Sequence, residues 1–502
     1  MTAAHAERIT AWLFTELPAL APRWLPEQRW FGGKSRAIDR VEVEDVLWLS
    51  VELVGYALVV VEVRYAEAGA RERRERYALV VGISSDARDG STIGRIEGQS
   101  GLRAVEAGTD GSAVLAVLQG FVSGEPVRGA RGGLLTYGDA TLAARQAVTS
   151  GGGERPAVVP VGLEQSNTSI RLGSSHVFKL FRRLDEGENP QLEIGRFLAH
   201  TSFRSAPRLE GSLTYRAPDG RVATLGLLED WIANSGDGWN YVVEQLERAA
   251  RKGSGLEELA KDMFLLGTTT ADFHAALASD PGTETFAPEP VTSGVVGEWR
   301  SGLLAQADRA MALVERHHTQ WSDEARRLGR SLLGCRVDLA QRCSGQDVGP
   351  DQAFTKIRVH GDYHLGQTLK TAAGFALIDF EGEPTKSLED RRRKQCALKD
   401  VAGMMRSFEY ATETVIERMG STPGASLSAS VLREAFVEGY LARATTGGAR
   451  FLPSAPDAVP RWIGFFELEK ALYEVEYEVN NRPAWVHIPL RGVMHILQSR
   501  AA

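Results

Sequence analysis

Cysteine is scarce in this chain: Cys335, Cys343 and Cys396 are the only three in 502 residues, and they are unclustered. That excludes a disulfide framework and any cysteine-rich zinc site, and it fits a reducing compartment. Long apolar runs are also missing. The longest, around 53–63, is interrupted by Gly55 and Glu62, whereas a membrane helix needs about 20 apolar residues. The opening MTAAHAERITAWLFTEL has no basic head followed by an apolar core, so no signal peptide is expected and the location is read as cytoplasmic. Basic excess is absent too: 58 Lys and Arg stand against 65 Asp and Glu, a net charge of −7. Nucleic acid and anionic membranes are therefore not expected partners; a neutral or cationic small molecule is mildly favoured. A phosphate loop of the GxxxxGK[ST] type is lacking as well. Gly33-Lys34-Ser35 imitates its end, but Gln28 stands where the first glycine is required, and no strong strand precedes it.

What is present is ordinary for a globular protein, with 43% hydrophobic and 25% charged residues, in a chain long enough for two to four domains. Residues 1–95 read as one amphipathic helix, a WLPEQRWFGGKS segment and three β-rich runs with alternating faces. The charge run 71–76 reads as a solvated hairpin tip. Residues 96–150 show weak helical periodicity and are taken as an intermediate subdomain ending at the glycine run 151–153. From 236 onward apolar residues recur at three and four, predicting a large helical lobe. His274 falls on an apolar helix face and reads as a satisfied core histidine.

The densest chemistry lies at residues 358–383, RVHGDYHLGQTLKTAAGFALIDFEGE. Two short apolar runs, around Ile357 and Val359 and at 375–378, read as strands that bring two polar loops together. Asp362, Gln367 and Asp379 then face a common point if the strands pair. Phosphoryl transfer needs such a set: a carboxylate that orients a hydroxyl and takes its proton, and an amide oxygen and second carboxylate for a hard cation. His360 and His364 have the spacing of a helical zinc pair, but Gly361 and Asp362 between them favour a loop.

HGDYHLGQ followed by IDFEGEP resembles the catalytic and metal loops of aminoglycoside-phosphotransferase-like kinases, most closely the bacterial maltokinases, with Tyr363 where the family usually has Leu. RWFGGKSR resembles the maltokinase opening, a cap on the N-terminal lobe. The resemblance implies an α+β, bilobal protein-kinase-like fold: cap 1–95, intermediate subdomain 96–150, nucleotide-binding lobe 151–235, and helical lobe 236–502 with the catalytic loops and sugar pocket. It implies ATP and Mg²⁺ as cofactors, Asp362 as base, and Gln367 and Asp379 as metal ligands. Residues 163–172, LEQSNTSIRL, taken alone read equally as a plain hairpin. Within the family pattern Ser166, Asn167, Thr168 and Ser169 form a phosphate loop, Lys179 binds phosphate paired to Glu193, and Glu229 lies at the interlobe hinge. Asp400 is expected to brace the catalytic loops.

The segment RWIGFFELEKALYEVEYEVNNRPAW reads two ways, as a solvated acidic helix with a tyrosine seam or as a carbohydrate pocket; a similar maltokinase segment favours the sugar. Substrate contacts are expected from His364, Arg406, Tyr473, Glu474, Tyr477 and Trp485. The family carries other residue types where Asn481, Ala484 and His487 stand, and Glu476 adds another acid. Maltose phosphorylation to maltose 1-phosphate is the first expectation. An aminosugar such as glucosamine, drawn by unbalanced carboxylates, is the alternative, and a catalytically silent binding module is a remote third. The expected assembly is a monomer or homodimer.

Overall fold

The valine-rich runs are apolar on both faces of the pleat, and both faces are covered in the computed structural model of the chain. It describes residues 3–51, 55–66, 73–85, 92–96, 101–149, 156–161, 166–344, 353–419, 428–455 and 457–498. The glycine run 151–153, residues 163–165 of the polar segment and residues 71–72 of the charge run lie outside these. The chain forms two units: Met1–Ala199 with Pro207–Ile232, and His200–Ala206 with Ala233–Ala502.

The first unit is built on two antiparallel sheets. In one, Ile38–Val51, Gly55–Tyr65 and Arg74–Ser84 are followed in space by Arg103–Glu106 and Thr92–Arg95. Side chains alternate along each strand, so Val59, Val61 and Val63 pack with Trp12 and Trp24 of two N-terminal helices. Leu58 and Val60 pack instead with Ile170, Phe178 and Leu228 of the second sheet. The single helix expected at the start is two, Ala3–Thr15 and Leu17–Trp24, with Pro18 in the first turn of the second, where a missing N–H costs nothing. The charge run is not a tip at 74–76. These residues are in a strand, and Glu75 accepts hydrogen bonds from Tyr65 (2.7 Å), Tyr77 (2.7 Å) and Arg36 (3.0 Å).

The second sheet runs Val127–Arg128, Leu134–Gly138, Leu209–Arg216, Val222–Asp230, His176–Phe181, Asn167–Leu172, Val158–Pro160. The stretch 96–150 thus contributes strands to both sheets, with helices Gly111–Ser123 and Leu142–Thr149 beside them. Asp110 caps the first of these through Ala113 N–H at 2.9 Å.

The second unit is mostly helical. Its long helices are Gly238–Lys252, Leu256–Leu277, Ser293–His317, Leu398–Met419, Ser430–Thr446 and Ala458–Asn481. Two small ribbons interrupt them, Glu289–Pro290 with Thr355–Lys356 and Thr368–Thr371 with Gly374–Leu377. Among the described residues no helix is long and apolar enough to cross a membrane. The architecture is α+β, with a β-rich N-terminal region and a helical C-terminal part.

Candidate active site

The loop holding Asp362 is fixed from below by one buried carboxylate. Asp400, in the first turn of helix Leu398–Met419, accepts the backbone N–H groups of His360 (2.7 Å) and Gly361 (3.0 Å). Its Oδ2 also meets His274 Nε2 at 3.0 Å, and His274 Nδ1 meets the Tyr440 hydroxyl at 2.9 Å. His274 is the satisfied core histidine its position suggested. Burial opposes the Asp400 charge, but His274, His360 and the Gly361 N–H override it and hold the carboxyl below its ordinary range.

The two polar loops meet through backbone. His360 Nε2 lies 2.9 Å from the Ile378 carbonyl, and Ile378 N–H donates to the Gln367 carbonyl at 3.0 Å. Asp379 follows directly, in the left-handed region at φ 67°. Gly361 is also left-handed at φ 83°, and a Cβ there would meet Gly382 Cα at 3.4 Å, so the loops lie against each other. The pairing that achieves this differs from the expected one. Ile357 bridges to Gln395, while Gly374–Leu377 pairs with Thr368–Thr371. Asp362 and Asp379 both act electrostatically on His364. Burial pushes its pKa down, with these two carboxylates pulling the other way. His364 Nδ1 accepts Gly366 N–H at 3.1 Å.

Beside the loops lies a cavity of about 380 Å³, within the range of small-molecule sites. Gly361 and Tyr363 line it from the Asp362 loop and Glu383 from just beyond the Asp379 loop. Helix Ala458–Asn481 contributes Lys470, Tyr473, Tyr477 and Asn480, spaced three, four and three apart and so on one face. Lys470 Nζ lies 3.3 Å from Asp362 Oδ1 and 3.0 Å from Glu383 Oε1. Lys386 reaches Glu383 at 2.6 Å, and Lys399 reaches Glu469 at 2.7 Å. Burial alone would raise the Glu383 carboxyl; Lys470, Lys386 and Lys399 instead hold it down at about 2. Tyr473 and Tyr477 stack at 6.5 Å, with Lys470 over the Tyr473 ring.

Four residues expected at the substrate, His364, Arg406, Glu474 and Trp485, do not line the cavity and have other partners. Arg406 is fully buried and grips Glu474 with Nε (2.9 Å) and Nη2 (2.8 Å), and also meets Glu409. Trp485 lies under the Arg482 guanidinium, 5.3 Å from its ring centre. The expected surplus of carboxylates is likewise corrected. Glu467 pairs with Arg433 at 2.8 Å and Glu478 with Arg482 at 2.6 Å, because a buried carboxylate without a counter-charge is too costly to keep ionised. Glu476 is the exception. It lines the cavity, meets Arg309 at 3.4 Å through one oxygen, and its other oxygen is buried with no hydrogen-bond partner among the described residues. Neither Lys470 nor Glu383 was assigned a role from sequence; the available signal was a lone lysine within an acidic stripe.

In the first unit, Lys179 is buried in strand His176–Phe181 and donates to Gln191 Oε1 at 3.1 Å. Gln191 Nε2 in turn donates to both oxygens of Glu229, at 2.9 and 3.1 Å. Gln191 was also missed. Glu193 is buried in the first turn of the same helix, Pro190–Ala199, whose start Asn189 caps through Gln191 N–H at 2.8 Å. Ser166 is an exposed loop residue, but Asn167, Thr168 and Ser169 are in a strand, and the Thr168 hydroxyl accepts from Arg182 at 2.8 Å.

Residues 24–110 match the maltokinase N-terminal cap domain family. The chain is 27% identical to a glucosamine kinase of Mycolicibacterium smegmatis over 71% of its own length and 82% of the relative's. It is 28% identical to a glucosamine kinase of Streptacidiphilus jiangxiensis over 69% and 74%. A solved glucosamine kinase in complex with glucosamine, ADP and inorganic phosphate superimposes with a TM-score of 0.65, at 23% identity, covering 97% of this chain and 99% of that one. A second crystal form of glucosamine kinase gives 0.67 at 22% identity. The fold is that of these kinases, and the chain opens with a maltokinase-type cap.

Within the cap, the GKS imitation of a phosphate loop is packing structure. Trp30 and Phe31 are buried, Phe31 lies 5.0 Å from the Tyr77 ring, and a Cβ at Gly33 would collide with Phe31 and Tyr65. The cap's Trp30 also lies under the Arg182 guanidinium, 4.9 Å from its ring centre.

Proposed function

We propose that this sugar kinase transfers the terminal phosphoryl group of ATP to a hydroxyl of glucosamine. The observation that carries the reading is the loop pair: the Asp362 loop, anchored through Asp400, and the loops of Gln367 and Asp379, which Ile378 joins to it, next to a cavity that Gly361 and Tyr363 line. Asp362 orients the acceptor hydroxyl and takes its proton. Gln367 and Asp379 would hold Mg²⁺; an amide oxygen and a carboxylate suit a hard cation that completes its shell with phosphate and water. When bound, that cation neutralises phosphate charge. Lys179, steadied by the Gln191–Glu229 pair, serves the phosphates. His364, which accepts the Gly366 N–H, supports the loop.

Glucosamine is favoured by the two curated relatives and by Glu476, a cavity-lining carboxylate of the kind that pairs with an ammonium group. Maltose is the second reading, favoured by the cap match. Purified protein with ATP, Mg²⁺ and, separately, glucosamine, N-acetylglucosamine, glucose and maltose is assayed for ADP release, and the phosphorylated product is identified by mass and NMR. Turnover with glucosamine alone supports the first reading, turnover with maltose alone the second, and no turnover with any sugar removes both.

A further inference from the structure

Resting on the sugar-kinase reading, we infer that Lys470 is a positioning residue for the catalytic base, through which the sugar-side helix sets the orientation of the Asp362 carboxylate. A free carboxylate presents either oxygen and turns about its last bond, whereas a general base must hold one lone pair towards the incoming hydroxyl. Lys470 Nζ is 3.3 Å from Asp362 Oδ1, leaving Oδ2 for the hydroxyl. The ammonium is itself held on two further sides, by Glu383 Oε1 at 3.0 Å and by the face of Tyr473 at 4.8 Å. Glu383 is fixed in turn by Lys386 at 2.6 Å. One lysine therefore links the catalytic loop, the segment just past the metal loop and the helix that lines the cavity.

The count of charges fits the reaction. The acceptor hydroxyl gives its proton to Asp362, its oxygen forms the new bond to the terminal phosphorus, and the bond from that phosphorus to the bridging oxygen breaks, releasing ADP. At that moment Asp362 becomes neutral. With Asp362 as its sole partner, a half-buried ammonium would lose its counter-charge in the transition state. Glu383 keeps it compensated throughout, so the neutralisation of Asp362 leaves no isolated charge. Two carboxylates for one lysine is the arrangement that a proton-accepting partner requires.

The test compares wild type, Lys470→Met, Lys470→Arg and Glu383→Gln for kcat, for KM towards ATP, and for melting temperature, with whichever sugar is turned over. Misplacing a reacting group by about 1 Å costs roughly 10²-fold. Lys470→Met is therefore expected to lose roughly 10²-fold in kcat while KM for ATP stays within about twofold. Lys470→Arg, which keeps the cation, is expected to recover about tenfold of that loss. Should Lys470→Met fail to fold, Glu383→Gln decides, with an expected fall in kcat at unchanged KM for ATP. An active wild type whose kcat is unmoved by Lys470→Met, or by Glu383→Gln in its place, overturns the inference alone. A wild type inactive on every sugar takes the kinase reading down with it.

Discussion

Asp362 lies in a loop that Asp400 braces from the first turn of a helix, and single substitutions separate their tasks. In the proposed reaction Asp362 takes the hydroxyl proton. Asp362→Asn is expected to lower kcat by at least ~10² while nucleotide binding, measured by calorimetry, is retained. Asp400 is structural, 2% exposed and accepting two backbone N–H groups. Asp400→Asn, which turns an acceptor into a donor against those groups, is expected to cost about 1–3 kcal/mol in urea unfolding. Glu383 supplies a pH signature. Its carboxyl is held at about 2 against an ordinary 4.5, so its stabilisation is present above 4.5 and is lost as pH falls towards 2. The stability gap between wild type and Glu383→Gln is expected to close over that window, read from denaturant midpoints at a series of pH values.

At the scale of elements, the brace under the Asp362 loop depends on how closely two helices approach. A Cβ at Gly267, in helix Leu256–Leu277, would run into the Phe436 carbonyl and Tyr440 N–H. A Cβ at Gly439, in helix Ser430–Thr446, would run into the Phe264 carbonyl. These glycines let the helices touch backbone to backbone, and that contact holds the Tyr440 hydroxyl against His274. Gly267→Ala is expected to destabilise by about 1–3 kcal/mol through overpacking, seen as a lowered melting temperature with a parallel loss of activity. The helices themselves were legible, because apolar residues recur at three and four, as in LEELAKDMFLLGTTTADFHAAL. The strand partner of Gly374–Leu377 was not. TLKT carries two polar threonines and a lysine, which masks a four-residue strand whose pairing is set by the turn that follows it.

For the molecule as a whole, the β-rich first unit and the helical second unit answer to different ligands in the proposed reaction. ADP with Mg²⁺ is expected to raise the melting temperature, since a ligand at 100 times its Kd adds about 2.7 kcal/mol to the folded state. Lys179→Met is expected to reduce that shift, and chelation by EDTA is expected to abolish turnover. Chain-wide composition pointed to the class of partner: a net charge of −7 and no long apolar run left a soluble small molecule as the expected ligand.

Sequence alone settled what is local. Strand alternation, helix periodicity, the cap segment and the order of Asp362, Gln367 and Asp379 follow from neighbours a few residues apart, where backbone geometry fixes which side chains share a face. Tertiary structure alone decided which charges are spent and which remain. Arg406 and Glu474 are 68 residues apart, Asp362 and Lys470 108, and His274 and Asp400 126. A buried charge takes whatever opposite charge the packing brings to it, and no periodicity along the chain records that choice.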